Sequence, residues 1–301
     1  MCKVMAIPAI NDANRSDCWV FAQLLAELIS QGNDDGLGYA SFDKAGNIFG
    51  EKWLINKTAF KDLNQIKKMN SEKMARIYTY FGDKVLKDES QAIILHTRAA
   101  TCGKGIENTH PFINDDDKPD VAIIHNGMIY NHDIFPRKYS TCDSEVIAHL
   151  YETNKVGHSI SKLSEFTEKM EGWFTVLALL KDDGGKMVMD AFSDSSRLGS
   201  YFIKELNTRV YSTYADDVAK VAKALGLTPV DMEQIKPDTA FRLDVLTGEQ
   251  IEFSEIKTSA NVPVTVYSEA DWEGWANIST MEGNMSDDAF RQRFFSGGFR
   301  R

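Results

Sequence analysis

Cysteine is scarce in this chain: there are four in 301 residues (Cys2, Cys18, Cys102, Cys142), and no two are spaced C-x-x-C. That pattern reads as reduced thiols in the cytoplasm. The six histidines are scattered, with no i, i+4 pair of the kind that grips zinc on a helix, so neither a metal nor a cofactor is expected. Positive charge is in deficit, with 34 Lys and Arg against 44 Asp and Glu and a formal net charge of −10. This opposes any broad attraction to nucleic acid or to an anionic membrane, so neither is expected as a partner. Long apolar runs are missing as well. The longest are strand-length, which excludes a membrane-spanning helix and gives no sign of a signal peptide. At 43% hydrophobic and 26% charged residues, the chain can still bury a large core.

What is there begins at the second residue, in MCKVMAI. Removal of the initiator Met would leave Cys2 with a thiol and a free α-amine on one residue, titrating near ~8.5 and ~8. Nucleophile and base would then share a terminus, and thiolate attack on an amide carbonyl becomes reasonable chemistry. The plainer alternative is a buried strand cysteine behind an uncleaved Met.

Three later segments supply what such a nucleophile needs. HTRAATCG (His96 to Gly103) follows the apolar run Ala92 to Leu95, so Arg98 ends a buried strand and offers a planar fork of donors to a carboxylate. HNGMIYN (His125 to Asn131) follows the apolar strand Val121 to Ile124. Its Asn-Gly pair is either a hairpin turn or an oxyanion hole built from the Asn126 side-chain amide and the Gly127 backbone N–H. CDSEVIAHLYE (Cys142 to Glu152) starts a helix, where Asp143 is either a cap or the counter-charge of a substrate ammonium.

With Cys2, these segments resemble the class II (N-terminal nucleophile) glutamine amidotransferases, most closely the glutaminase domain of glucosamine-6-phosphate synthase. That family reads Met-Cys, HTRWATHG, NAHPH, HNGIIEN and DTEVIAHL. This chain has MCKVMAI, HTRAATCG, NTHPF (Asn108 to Phe112), HNGMIYN and DSEVIAHL in the same order. The resemblance implies Cys2 as nucleophile and, through its α-amine, as base. It also implies Arg98 as the clamp for the glutamine α-carboxylate, with Thr101 nearby on the same loop. Asn126 and Gly127 match the oxyanion hole, and Asp143 matches the carboxylate that holds the α-ammonium. Departures are Ala99 and Cys102, where relatives carry Trp and His. The segment QGNDDGLGYA (Gln31 to Ala40) also lacks the arginine usual there. A lighter cover over bound glutamine and leakier glutaminase activity follow from Ala99.

Periodicity predicts a strand over Lys3 to Ile7, an amphipathic helix over Ser16 to Ser30, and strands over Gly38 to Phe42 and Asn47 to Trp53. It predicts helices over Lys57 to Lys68, Ser71 to Tyr80, Asp143 to Tyr151 and Ile160 to Met170. Further strands fall at Trp173 to Lys181, Lys186 to Phe192, Ser200 to Leu206 and Arg209 to Tyr214, with a helix from Asp216 to Leu225. The fold class the resemblance implies is α+β, a four-layer αββα sandwich of the N-terminal nucleophile hydrolase type. The expected glutaminase domain is 2–253. The weakly patterned stretch 254–301, ending AFRQRFFSGGFRR, is expected to be a partner-docking or disordered tail.

The expected function is hydrolysis of the side-chain amide of L-glutamine through a Cys2 thioester, giving glutamate and ammonia. Too little chain is expected to follow the last strand for an acceptor domain, so either a synthetase partner in trans receives the ammonia or the protein hydrolyses glutamine or a related γ-glutamyl amide by itself. The alternatives are an N-terminal nucleophile amidohydrolase acting on another γ-glutamyl or acyl amide, and a non-catalytic glutamine-binding regulator.

Overall fold

The structure is a computed structural model that describes residues 2–10, 18–30, 35–54, 77–86, 90–100, 103, 105–114, 119–136, 140–195 and 197–259. Thirteen strands occur among these residues, in two antiparallel sheets. The first sheet holds β1 (Lys3–Ile7), β2 (Gly36–Phe42), β3 (Ile48–Trp53), β4 (Ile93–Arg98), β9 (Gly199–Ile203), β10 (Thr208–Ser212) and β11 (Pro229–Gln234). Its order is β11-β9-β10-β1-β4-β2-β3. The second holds β5 (Phe112–Ile113), β6 (Val121–Ile129), β7 (Gly172–Lys181), β8 (Met187–Ser193), β12 (Thr239–Asp244) and β13 (Gln250–Glu255). Its order is β13-β12-β8-β7-β6-β5.

Alternation along each strand builds three apolar layers. Val4 and Ala6 of β1, Ile94 of β4, Ala122 and Ile124 of β6, and Leu177 and Leu179 of β7 meet between the sheets. Met5, Ile7, Ile93 and Leu95 point the other way, toward helices α1 (Cys18–Ser30) and α4 (Ala215–Ala224) and a π-helical turn at Phe81–Leu86. On the far side, Val176, Ala178 and Leu180 of β7 pack on α2 (Glu145–Thr153) and the single turn α3 (Ser164–Thr167) through Val146, Ile147, Leu150 and Phe166. The result is the expected helix–sheet–sheet–helix sandwich. α4 stops where Gly226 takes φ +77° and the N–H groups of Gly226 and Leu227 return to the carbonyls of Lys223 and Ala222. No described helix is long and apolar enough to cross a membrane.

Several elements differ in extent from their sequence patterns. The apolar strand from Val121 runs on to Ile129, so Asn126-Gly127 lies inside β6 and forms no hairpin turn. The stretch predicted helical to Tyr80 is described only from Ile77 and widens into the π-helical turn. The predicted helix 57–68 lies outside the described residues. Strands β11 to β13 carry no sequence pattern of their own. β13 continues to Glu255, and residues 257–259 pack on the α3 region: Lys257 N–H donates to Ser164 Oγ, and Ser259 Oγ donates to the Met170 carbonyl. Residues 260–301 lie outside the description.

Candidate active site

β1 runs against β4 with Lys3 opposite Thr97, which carries Cys2 to the far end of β4. There the Cys2 sulfur lies 3.4 Å from both the backbone nitrogen and the carbonyl oxygen of Ala99. Arg98, one residue earlier, is the last residue of β4. It is buried, pairs in register with Gly36, and donates through Nη2 to the Gly103 carbonyl. Asp35 holds this loop from both sides. Its N–H donates to the Arg98 carbonyl (3.1 Å), and its Oδ2 accepts the Ala100 N–H (2.7 Å). Asp35 comes from the segment that lacks the family's arginine, so the acidic residue that remains there fixes the Arg98 loop. Thr101 and Cys102 lie outside the described residues.

The second group sits on β6. Tyr130 N–H donates to Glu171 on the β7 side, whereas Val121 N–H and Ile129 N–H donate to side chains on the opposite edge, Asn114 and Asp143. Backbone direction alternates along a strand, so Gly127 N–H also faces that opposite edge. β5 pairs β6 only at Ala122 and Ile123, so it does not cover that edge at Gly127. Asn126 points between the sheets with Ala122 and Ile124, is 1% exposed, and has neither amide atom hydrogen-bonded among the described residues. Gly127 must lack a side chain. A Cβ there would stand 2.2 Å from the Trp173 carbonyl oxygen and from His125 Nε2.

Asp143 is buried beside this strand, and its Oδ2 accepts the Ile129 N–H at 2.7 Å. The first turn of α2 receives no side-chain cap from its N-cap residue, Ser144. Through the Ile129 N–H the Asp143 carboxylate ties the start of this helix to β6. Ser144 Oγ lies 2.8 Å from His125 Nδ1 and 3.4 Å from Asp143 Oδ1, joining the same cluster.

Histidines join the two groups. His110 stacks on His96 at 3.9 Å between ring centroids and lies 6.5 Å from His125. His110 can reach β4 because β2 carries glycine where its segment crosses: a Cβ at Gly38 would meet the His110 carbonyl oxygen at 2.0 Å. Burial is the main force on all three imidazoles. It draws His96 down to about 3, His110 well below the ordinary value and His125 also down. The positive charge of Arg98 adds to this at His96 and His110, while the negative charge of Asp143 opposes it at His125. The arrangement is a neutral, water-poor bed with a guanidinium at one pole and a carboxylate at the other. The sequence places these histidines inside motifs but carries no signal for their stacking, because His96 and His110 meet only when the 105–111 segment lies across β2. Asp35 was readable only as part of an acidic stretch.

No protein-family model matches the chain. Over 201 residues it is 28% identical to the glutamine–fructose-6-phosphate aminotransferase (isomerizing) of Tropheryma whipplei strain Twist, covering 62% of this chain and 30% of that protein. Over 123 residues it is 33% identical to the amidophosphoribosyltransferase of Staphylococcus aureus strain Mu50, covering 38% of this chain and 23% of that protein. The chain thus spans under a third of the length of these relatives. Among solved structures, the glutamine phosphoribosylpyrophosphate amidotransferase of B. subtilis, complexed with ADP and GMP, superposes with a TM-score of 0.54. It shares 18% identity, over 84% of this chain and 49% of that one. In sequence the chain is thus similar to class II glutamine amidotransferases, and it shares the fold of the amidotransferase domain of the B. subtilis enzyme.

Proposed function

We propose that this domain hydrolyses the side-chain amide of L-glutamine to glutamate and ammonia, with Cys2 as the nucleophile. The observation that carries the reading is the contact of the Cys2 sulfur with Ala99, one residue beyond the buried Arg98. A thiol held there lies one residue from a fixed cation, and the fixed anion Asp143 stands in the group that the histidines join to it. A zwitterion with an amide at its far end fits that arrangement. Arg98 takes the α-carboxylate, with Thr101 on the same loop, and Asp143 takes the α-ammonium.

In this mechanism Met1 is removed, and the freed α-amine accepts the thiol proton directly or through water. The sulfur adds to the carboxamide carbon. Negative charge gathers on the oxygen, where the Asn126 amide and Gly127 N–H donate, each such donor being worth roughly 3 kcal/mol. The tetrahedral adduct expels ammonia, which takes the proton from the amine. Water then cleaves the γ-glutamyl thioester to give glutamate. The ammonia serves a synthetase partner in trans.

The test is to measure ammonia and glutamate release by the purified full chain beside Cys2→Ala, with intact-mass analysis of the N-terminus. Release by wild type, its loss in the variant, and a mass lacking Met1 are the expected results. Equal rates in the two proteins would overturn the proposal.

A further inference from the structure

Across β6 from the two proposed oxyanion donors lies a dipeptide held by more than strand pairing. Asn126 is in register with Thr175, and Gly127 with Phe174. Phe174 N–H donates to Asp194 Oδ1 (3.0 Å), and its carbonyl oxygen accepts from Asp194 N–H (3.2 Å) and lies 3.2 Å from Ser193 Oγ. Thr175 Oγ1 and Ser193 Oγ are 2.8 Å apart, and Ser195 N–H donates to Ser193 Oγ at 3.2 Å. Thr175 and Ser193 are fully buried. By strand alternation they face between the sheets with Leu177 and Ala191, on the face that also carries Asn126. Directly opposed side chains on one face of a sheet stand ~4.5–5.5 Å apart at Cβ, within reach of one hydrogen bond. The Asn126 amide is buried without a partner among the described residues, and it is useful to an oxyanion only with its NH₂ end turned toward the substrate.

We infer that Thr175 and Ser193 are positioning residues that set which end of the Asn126 amide meets the substrate. The inference rests on the reading that Asn126 donates to the oxyanion. A backbone N–H can only donate, so Ser195 makes Ser193 Oγ an acceptor. In one arrangement Ser193 passes its own proton to Thr175 Oγ1, and the Thr175 proton is left for Asn126 Oδ1 across the strand, a bond not made in this structure. With its oxygen engaged there, the amide turns its NH₂ toward the cleft. The other arrangements send the Ser193 proton to the Ser195 carbonyl, also 2.8 Å away, or to the Phe174 carbonyl at 3.2 Å, and leave Thr175 an acceptor that would draw the NH₂ aside. A developing oxyanion selects the first.

Thr175→Val keeps the shape and removes the hydroxyl, Ser193→Ala removes the next link, and Thr175→Ser restores the hydroxyl alone. Steady-state glutaminase kinetics on the full chain, with a thermal melt of each variant, test the inference. Removing an oxyanion donor outright costs about 10²- to 10³-fold in kcat, so misaiming it in T175V should cost ~10- to 100-fold, with KM for glutamine within about twofold of wild type. S193A should fall in the same direction, and T175S should return close to wild type. Wild-type kcat in T175V, a parallel rise in KM, or a T175S variant as impaired as T175V would each overturn the inference. If T175V does not fold, S193A is held to the same kcat and KM criteria. Wild type and C2A are compared first. Equal rates there overturn the hydrolytic reading, whereas an active wild type with an unaffected T175V overturns this inference alone.

Discussion

A methyl group at position 127 would stand 2.2 Å from a backbone carbonyl oxygen that cannot move without shifting β7. Gly127→Ala is therefore expected to lose ~1–3 kcal/mol of stability by overpacking and to lose glutaminase activity with it, read by urea unfolding and ammonia release. Asp143 separates two effects. Asp143→Asn keeps an oxygen for the Ile129 N–H but removes the charge, so KM for glutamine should rise tenfold or more while the melting temperature barely changes. Asp143→Ala also leaves a buried N–H without its acceptor, at a further cost of ~1–3 kcal/mol. If both variants bind glutamine like wild type, the carboxylate has only a structural role. The sequence alone could not choose between cap and counter-charge for this residue. Nor could it show the bond the carboxylate makes, because the donor, the Ile129 N–H, lies on β6, fourteen residues earlier.

At the scale of elements, the strands buried on both faces were the legible ones. β1 was readable to the residue, and β7 and β8 to within one, because apolar side chains on both sides leave little choice of state. β11 and β13 were not legible, since both are edge strands with largely exposed faces and their few apolar residues show no period. β12 was hidden for a different reason. Its centre is Arg242, fully buried and bonded to both oxygens of the equally buried Asp190 at 2.7 and 2.9 Å. An arginine in the middle of a strand reads as surface until its partner is seen on β8. Arg242→Ala should cost ~3–5 kcal/mol in urea unfolding, because it strands the Asp190 charge. Arg242→Met combined with Asp190→Leu should lie closer to wild type. A double variant weaker than the single would contradict this account.

For the whole molecule, the buried imidazoles set the response to acid. In the unfolded chain they take up protons near 6.5, whereas in the fold His96 holds out to about 3 and His110 and His125 are also lowered. Below pH 6.5 the unfolded state binds more protons, so stability is full above that pH and falls as pH drops toward the folded values. Asp194, raised to about 6 by burial, and Asp190, also raised, act in the opposite sense as pH climbs from 3.8. Three groups outweigh two, and the melting temperature is expected to be a few degrees lower at pH 5 than at pH 7 by calorimetry. A flat or inverted profile would rule this out. The position of β1 has another consequence. It lies between β4 and β10, with Lys3 against Thr97 and Met5 against Ser212. During synthesis at about 5–20 residues per second, its second neighbour leaves the ribosome ~10–40 s after the strand itself. Through that interval the front of the nascent chain stands outside any finished sheet, where an aminopeptidase can trim it.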